Sequence, residues 1–156
     1  MPRLIVNSTT FNYPDPGQEP GWSEDATAWA VSVTEVLSFL IAPGDIINGS
    51  ATIVNSQVAA ADVIGCQFDS SVSRSANISY QIVRADGLTT RTESGTLFVN
   101  FDVASSSWQL VKTFTGQDSG VVLSITPAGQ VKYTSDSMPG GTYTGVIKFN
   151  ARTLQA

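Results

Sequence analysis

The chain has 156 residues, which suits one domain, or one domain with a short arm, and is too short for two large domains. Its 13 acidic and 8 basic residues give a net charge of −5, the wrong sign for a protein that binds nucleic acid through phosphate contacts. Histidine is absent, which removes the usual general base at neutral pH, the histidine-activated nucleophiles and the commonest zinc ligand. We therefore expect neither an enzyme nor a partner of nucleic acid.

The single cysteine, Cys66, excludes an intrachain disulfide and a four-cysteine zinc site, and we expect it to be a small buried apolar residue. No apolar run approaches the roughly 20 residues of a membrane span, and the N-terminal residues lack the apolar region of a signal peptide. We expect a chain that is soluble when made in the cytoplasm, without membrane insertion. Serine and threonine together make up 35 residues, which predicts short strands with a hydroxyl-rich outer face.

Residues 1–22 are predicted to form an extended, proline-rich arm. Four prolines lie in this segment: Pro2, Pro14, Pro16 and Pro20. Prolines so closely spaced exclude a helix and favour an extended path. Such an arm cannot bury Phe11, Tyr13 and Trp22 by itself. It either folds back over its own domain or lies along a neighbouring subunit.

Residues 23–42 are predicted to hold an amphipathic helix over 24–40. Ser23 is expected as its N-cap, with Glu24 and Asp25 in the first turn, and Pro43 and Gly44 mark its end. Apolar residues follow it at alternating spacings of three and four, as in a coiled coil: Ala26, Trp29, Val33, Val36 and Leu40. A face through Trp29, Val33, Leu37 and Leu40 serves packing on a sheet equally well, so a self-associating helix and a helix packed on its own sheet both remain open.

Residues 45–156 change to a period of two, which predicts an antiparallel β domain without a crossover helix. Eight strands are expected, separated by turns rich in Gly, Pro, Asp and Ser. They are 51–54, 63–69, 76–84, 89–101, 108–115, 120–126, 130–135 and 142–154. The expected architecture is mainly β, a sandwich or barrel, and one face of the last strand is expected to be core.

The sequence singles out no catalytic, cofactor-binding or metal-binding residues. Glu24 and Asp25 suit a helix N-terminus, and Glu93 near Arg91 suits a cross-strand charge pair on an exposed face. No carboxylate pair has a catalytic spacing, and no calcium loop, phosphate-binding loop or nucleophile elbow is present.

Two tyrosines near predicted turns, Tyr133 and Tyr143, have two possible roles. They either stack on a sugar or receptor, or they cap a barrel end with their hydroxyl groups in water.

The segment from Tyr13 to Ala30, YPDPGQEPGWSEDATAWA, followed by an apolar helix and by Pro43–Ile46, resembles the opening of a group of tailed-bacteriophage virion proteins described as virion structural or tail-fibre-like. Three later segments are similar to the closing strands of that group: 120–126, 129–135 and 145–152. The resemblance covers most of the chain and contains no catalytic motif.

This resemblance implies a structural component on the exterior of a virion, a homotrimer with a β-sandwich head of jelly-roll type. Its role would be capsid decoration (cement) or that of a short fibre. Its partners would be further copies of itself and the major capsid protein or other virion proteins. The residues expected at the subunit or shell interface are Phe11, Tyr13, Trp22, Trp29, Val33, Val36 and Leu40.

The alternative is a tail-fibre module that binds a receptor or a host surface glycan. Its contact surface would be three turns of the β domain: Asp86-Gly87, Ser105 to Ser107 and Met138 to Gly141.

Overall fold

The computed structural model describes residues 3–6, 9–12, 22–40 and 42–156. The chain divides into two compact units, Met1–Ala42 and Pro43–Ala156. The first unit contains strands β1 (Arg3–Val6) and β2 (Thr9–Asn12), which pair in an antiparallel hairpin, and helix α1 (Trp22–Leu40). The helix begins one residue before the predicted N-cap, so Ser23 lies within its first turn.

The second unit contains the eight predicted strands and no helix. Their bounds are β3 (Ile46–Thr52), β4 (Ala61–Gln67), β5 (Ser73–Ala85), β6 (Thr90–Asp102), β7 (Ser107–Gly116), β8 (Val121–Ile125), β9 (Gln130–Ser135) and β10 (Thr144–Gln155). β3 begins five residues earlier than predicted, because Ile46 to Ser50 also pair with β10. The period of two is a sound guide to the strands because each one buries a single face.

The eight strands form two antiparallel sheets, which pack as a β-sandwich and confirm the predicted fold class. The larger sheet has the order β3-β10-β5-β6-β7, and the smaller one has the order β4-β9-β8. The first strand of the unit pairs with its last and the second with its second-last, a nested arrangement found in jelly rolls. The consecutive hairpins of β5, β6 and β7 form a meander instead.

The core lies between the sheets and is built from alternate residues of the strands. In β10, Ile147, Phe149 and Ala151 are buried, which confirms the predicted core face of this strand. Trp108 fills one end of the core, with its ring centroid 5.8 Å from that of Phe68 and 5.5 Å from that of Phe101. Such tilted and edge-on contacts are the preferred aromatic geometries and add to the burial energy.

Cys66 is 2% exposed, as expected for a small apolar core residue. Burial raises the pKa of its thiol to about 12, which keeps the group protonated at neutral pH.

A bulge interrupts the pairing of β4 with β9. Gly65 has a φ of +79°, a value that L-residues with a side chain rarely adopt. The side-chain amide of Gln130 donates hydrogen bonds of 3.1 Å to the Val63 carbonyl and 3.3 Å to the Cys66 carbonyl. The bulge therefore keeps its buried carbonyl groups satisfied, which removes the cost of leaving them without a donor.

Candidate functional site

Helix α1 presents an apolar face that its own chain leaves partly open. The ring of Trp29 is 40% exposed and the side chain of Leu37 is 53% exposed, while Val33 is half-buried. At 100° per residue these three side chains lie within about 80° of one another on the helix surface. Val31, which is 52% exposed, projects on the opposite side. The exposed aromatic and leucine therefore belong to one continuous stripe, and such stripes mark contact surfaces.

The other residues predicted at an interface are known only in part. Tyr13 lies outside the described residues. Phe11 lies in β2 and Trp22 opens α1, and Val36 and Leu40 follow in the same helix, but the structure describes only the backbone of these four. Of the residues predicted at an interface, Trp29 and Val33 are those whose side chains the structure describes, and they lie on one face of α1.

The expectation that Glu93 forms a charge pair on an exposed face is wrong. Glu93 is fully buried and is bound from both sides. Oε1 accepts a 2.7 Å hydrogen bond from the Tyr80 hydroxyl and lies 2.6 Å from Nζ of Lys112. Oε2 accepts hydrogen bonds from the backbone N–H and the hydroxyl of Ser119, at 3.0 Å and 2.8 Å. The physical reason is register, since Glu93 occupies an inward-facing position of β6.

Glu93 stays charged despite this burial. Burial by itself would raise the pKa of a carboxyl, but the Lys112 ammonium and the hydrogen bonds from Ser119 and Tyr80 outweigh it and hold the pKa below its ordinary value. A general acid needs the opposite shift. This carboxylate therefore suits a structural ion pair.

Arg84 is the second fully buried charge and joins the large sheet to two loops. Its guanidinium donates to the Ser119 carbonyl at 2.5 Å, to the Tyr143 hydroxyl at 2.9 Å, and to the backbone carbonyl and carboxylate of Asp136. Arg91, opposite Arg84 in the β5–β6 register, pairs with the other oxygen of that carboxylate at 2.8 Å. With all these partners in place the buried charge is compensated, and the loops before β8 and after β9 are fixed to β5.

The three turns proposed as a receptor-binding surface do not form one surface. Asp86 accepts hydrogen bonds from the N–H groups of Leu88 and Thr89 in its own turn, and from Gly140 N–H at 3.0 Å. These bonds lower the pKa of Asp86 to about 2 and join the turn to the loop that follows β9. The Ser105 turn follows β6 at the opposite end of the β5–β6 hairpin. Two of the three turns are therefore adjacent and the third is remote.

The hydroxyl groups of Tyr133 and Tyr143 both accept hydrogen bonds from within the chain. The Tyr133 hydroxyl accepts a 3.1 Å hydrogen bond from the N–H of Val54, and the ring is 2% exposed. The Tyr143 hydroxyl accepts the bond from Arg84. The two hydroxyl groups therefore take part in the internal framework of the β unit, since the Tyr133 partner lies in the loop after β3 and the Tyr143 partner lies in β5.

Among the described residues, no cluster of three or more acidic, cysteine or histidine side chains has the arrangement of a metal site. In the same part of the chain, no helix combines the length and the apolar character needed to cross a membrane.

Comparison with known proteins gives a partial likeness in structure to a phage protein. No family model matches the chain, and no curated protein matches it. The tailspike protein of Acinetobacter phage vB_ApiP_P1 is similar in structure, with 13% sequence identity and a TM-score of 0.40 over 69% of this chain and 21% of that one. The chain thus matches about a fifth of the length of that tailspike. At this identity and TM-score the likeness does not by itself assign a role, which depends on the residues of the chain itself.

Proposed function

We propose that the protein is a non-enzymatic structural component of a bacteriophage virion, a homotrimer that decorates the capsid or forms a short fibre. The observation that carries this proposal is the open apolar face of α1, with Trp29 40% exposed and Leu37 53% exposed. The resemblance of residues 13–30 and of the last strands to tailed-phage virion proteins supplies the biological setting.

The exposed helix face suits self-association better than a solvent-facing role. Burying a large apolar side chain contributes about 1.5 to 3 kcal/mol, so covering the open part of Trp29 contributes on the order of 1 kcal/mol in each chain. Trp29 and Val33 of this face also belong to the alternating three- and four-residue spacing that packs helices into coiled coils, and Leu37 lies beside it. Glu35 lies on the opposite side of the helix, which leaves the described part of the apolar stripe without charge.

The β unit supplies a rigid head for such a component. Its buried ion pairs fix the loops at one end of the sandwich, and its outer strand positions are mostly hydroxyl and amide side chains. A shell or fibre component needs stability and low reactivity, and both features provide them.

Incorporation into particles tests the proposal. The substitution Trp29→Asp or Val31→Asp is introduced into the gene in the phage that encodes it. The number of copies of the chain per particle is then measured by mass spectrometry in particles purified by density gradient. The two substitutions are matched, because each places the same poor helix former at a half-exposed position of α1. We expect wild-type copy number for Val31→Asp and loss of the chain for Trp29→Asp. Particles without the wild-type chain, or with Trp29→Asp at full copy number, would contradict the proposal.

A further inference from the structure

The outer face of the large sheet carries a shallow polar groove over strands β3, β10 and β5. Its volume is about 440 Å³. The exposed side chains that line it are amides, hydroxyls and one amine. They are Asn48, Ser50, Ser79, Gln81, Lys148 and Asn150, and we refer to them as the amide groove.

The register of the strands arranges these side chains in two rows across the sheet. Lys148 lies between Ser50 and Gln81 in one row. Asn150 lies opposite Ser79 in the other, and its side-chain oxygen accepts a 2.7 Å hydrogen bond from the N–H of Asn48. This bond fixes the Asn150 amide with its oxygen toward β3. The rows are therefore positioned by the backbone ladder and by a side-chain contact.

Most of the hydrogen-bond donors and acceptors of the amide groove have no partner among the residues that the structure describes. Within the described part of the chain, the side chains of Ser50, Ser79, Gln81 and Lys148 make no hydrogen bond or ion pair. Each amide or hydroxyl can both donate and accept, which matches the hydroxyl groups of a sugar. A ligand that replaces water here can therefore form several hydrogen bonds without breaking any that stabilise the fold.

The third row of the same face supplies an exposed aromatic ring. Phe98 is 51% exposed, lies opposite Asn77 in the β5–β6 register, and is a diagonal neighbour of Ser79 in the amide groove. Diagonal neighbours on adjacent strands are about 7 to 8 Å apart. An aromatic face beside hydrogen-bonding groups suits a pyranose ring, which has an apolar C–H face and a polar rim.

The charge of this face differs from that of the whole chain. The net charge is −5, yet the five strands of the large sheet contain only two carboxylates. Glu93 is buried on the inner side, and Asp102, at the end of β6, accepts hydrogen bonds from Ala104 and Ser105. Asp102 is the outward carboxylate of these strands, and it lies at the end of the sheet remote from Lys148. Lys148 therefore projects from a region of the sheet without a carboxylate on the neighbouring strand positions, which favours an anionic ligand.

We infer that the outer face of the large sheet binds an acidic oligosaccharide. The amide groove hydrogen-bonds the sugar hydroxyls, Lys148 pairs with a carboxylate of the sugar, and Phe98 stacks on a neighbouring ring. This site lies on the sheet face and not at the turns, and it goes beyond the proposed structural role.

The test is direct binding of the full chain to an array of bacterial capsular and lipopolysaccharide glycans. Each acidic glycan on the array is accompanied by its carboxyl-reduced counterpart, and hits are measured by calorimetry. We expect saturable binding to acidic glycans and at least about tenfold weaker binding after carboxyl reduction, the usual worth of a charged hydrogen bond. No binding on the array, or equal binding to the reduced forms, would overturn the inference.

Matched variants locate the site on the sheet. Lys148→Ala and Phe98→Ala should each weaken binding about tenfold. Lys132→Ala and Val122→Ala, at outward positions of the small sheet, should leave it unchanged. If the two small-sheet variants weakened glycan binding as much as Lys148→Ala and Phe98→Ala, the assignment of the site to the large sheet would be overturned. Neither Lys148 nor Phe98 belongs to α1, so both variants should enter particles normally, and a failed binding test would leave the structural role intact.

Discussion

The substitution Glu93→Gln tests the stabilising role of the buried charge network. Gln keeps the shape of the side chain and removes its charge. Both carboxylate oxygens now accept hydrogen bonds, from Tyr80 and Lys112 on one side and from Ser119 on the other. A Gln amide offers an acceptor to one side only and turns its NH₂ group toward donors on the other. The variant therefore loses an ion pair and leaves buried donors unpaired.

The expected loss is about 3 kcal/mol in the free energy of unfolding. Breaking a buried ion pair by removing one partner costs about 3 to 5 kcal/mol, and the lower end applies because Lys112 is 19% exposed and regains some hydration. The assay is urea unfolding at pH 7, followed by tryptophan fluorescence and circular dichroism. Asp62→Asn is the control, since Asp62 and Lys132 form a pair that is 46% and 31% exposed. It should cost less than about 1 kcal/mol. An equally small loss for Glu93→Gln would refute the reasoning.

Three further predictions concern the β unit. Gly95→Ala should lower the free energy of unfolding in urea by about 2 kcal/mol or more, because the new Cβ would overlap the Thr113 backbone carbonyl. Gly141→Ala is the control and should change it by less than about 0.5 kcal/mol, because no atom lies within 4 Å of the new Cβ. Asp86→Asn should lower the free energy of unfolding more at pH 6 than at pH 2.5. The pKa of Asp86 is about 2 in the folded chain and roughly 3.9 in an unfolded one, so the stability that its charge contributes is lost as pH falls through that interval. An equal difference between variant and wild type at both pH values would contradict this prediction. The thiol of Cys66 should react with a disulfide reagent at pH 8 only after urea is added, and rapid labelling of the folded chain would show that the site is open.

The eight strands could be predicted from the sequence because their signals are local. In β10 the inward residues Ile147, Phe149 and Ala151 alternate with polar ones, and turns containing Gly, Pro or Asp separate the strands. The helix could be predicted for the same reason, since apolar spacing and flanking residues such as Pro43 lie within one short segment. Strand order could not be predicted, because pairs such as β3 with β10 join segments about 100 residues apart.

The buried charges illustrate what local patterns leave open. Arg84 continues the inward alternation of Ile78, Tyr80 and Ile82, so the position itself indicated burial. Its positive charge favoured a solvent-exposed position, and its partner Asp136 lies 52 residues away in a loop. A charged residue in register with a core face is therefore a sign of a buried ion pair, and only the fold shows which loop supplies the partner.

The mass of the full chain in solution, measured by light scattering at micromolar concentration, tests most directly whether α1 is a self-association surface. The proposed role predicts about three chains for the wild type and for Val31→Asp, and one chain for Trp29→Asp, because an aspartate on the open apolar face would be buried without a partner in the trimer. A monomeric wild type, or a Trp29→Asp variant that keeps the mass of three chains, would contradict the assignment of this face as the subunit interface.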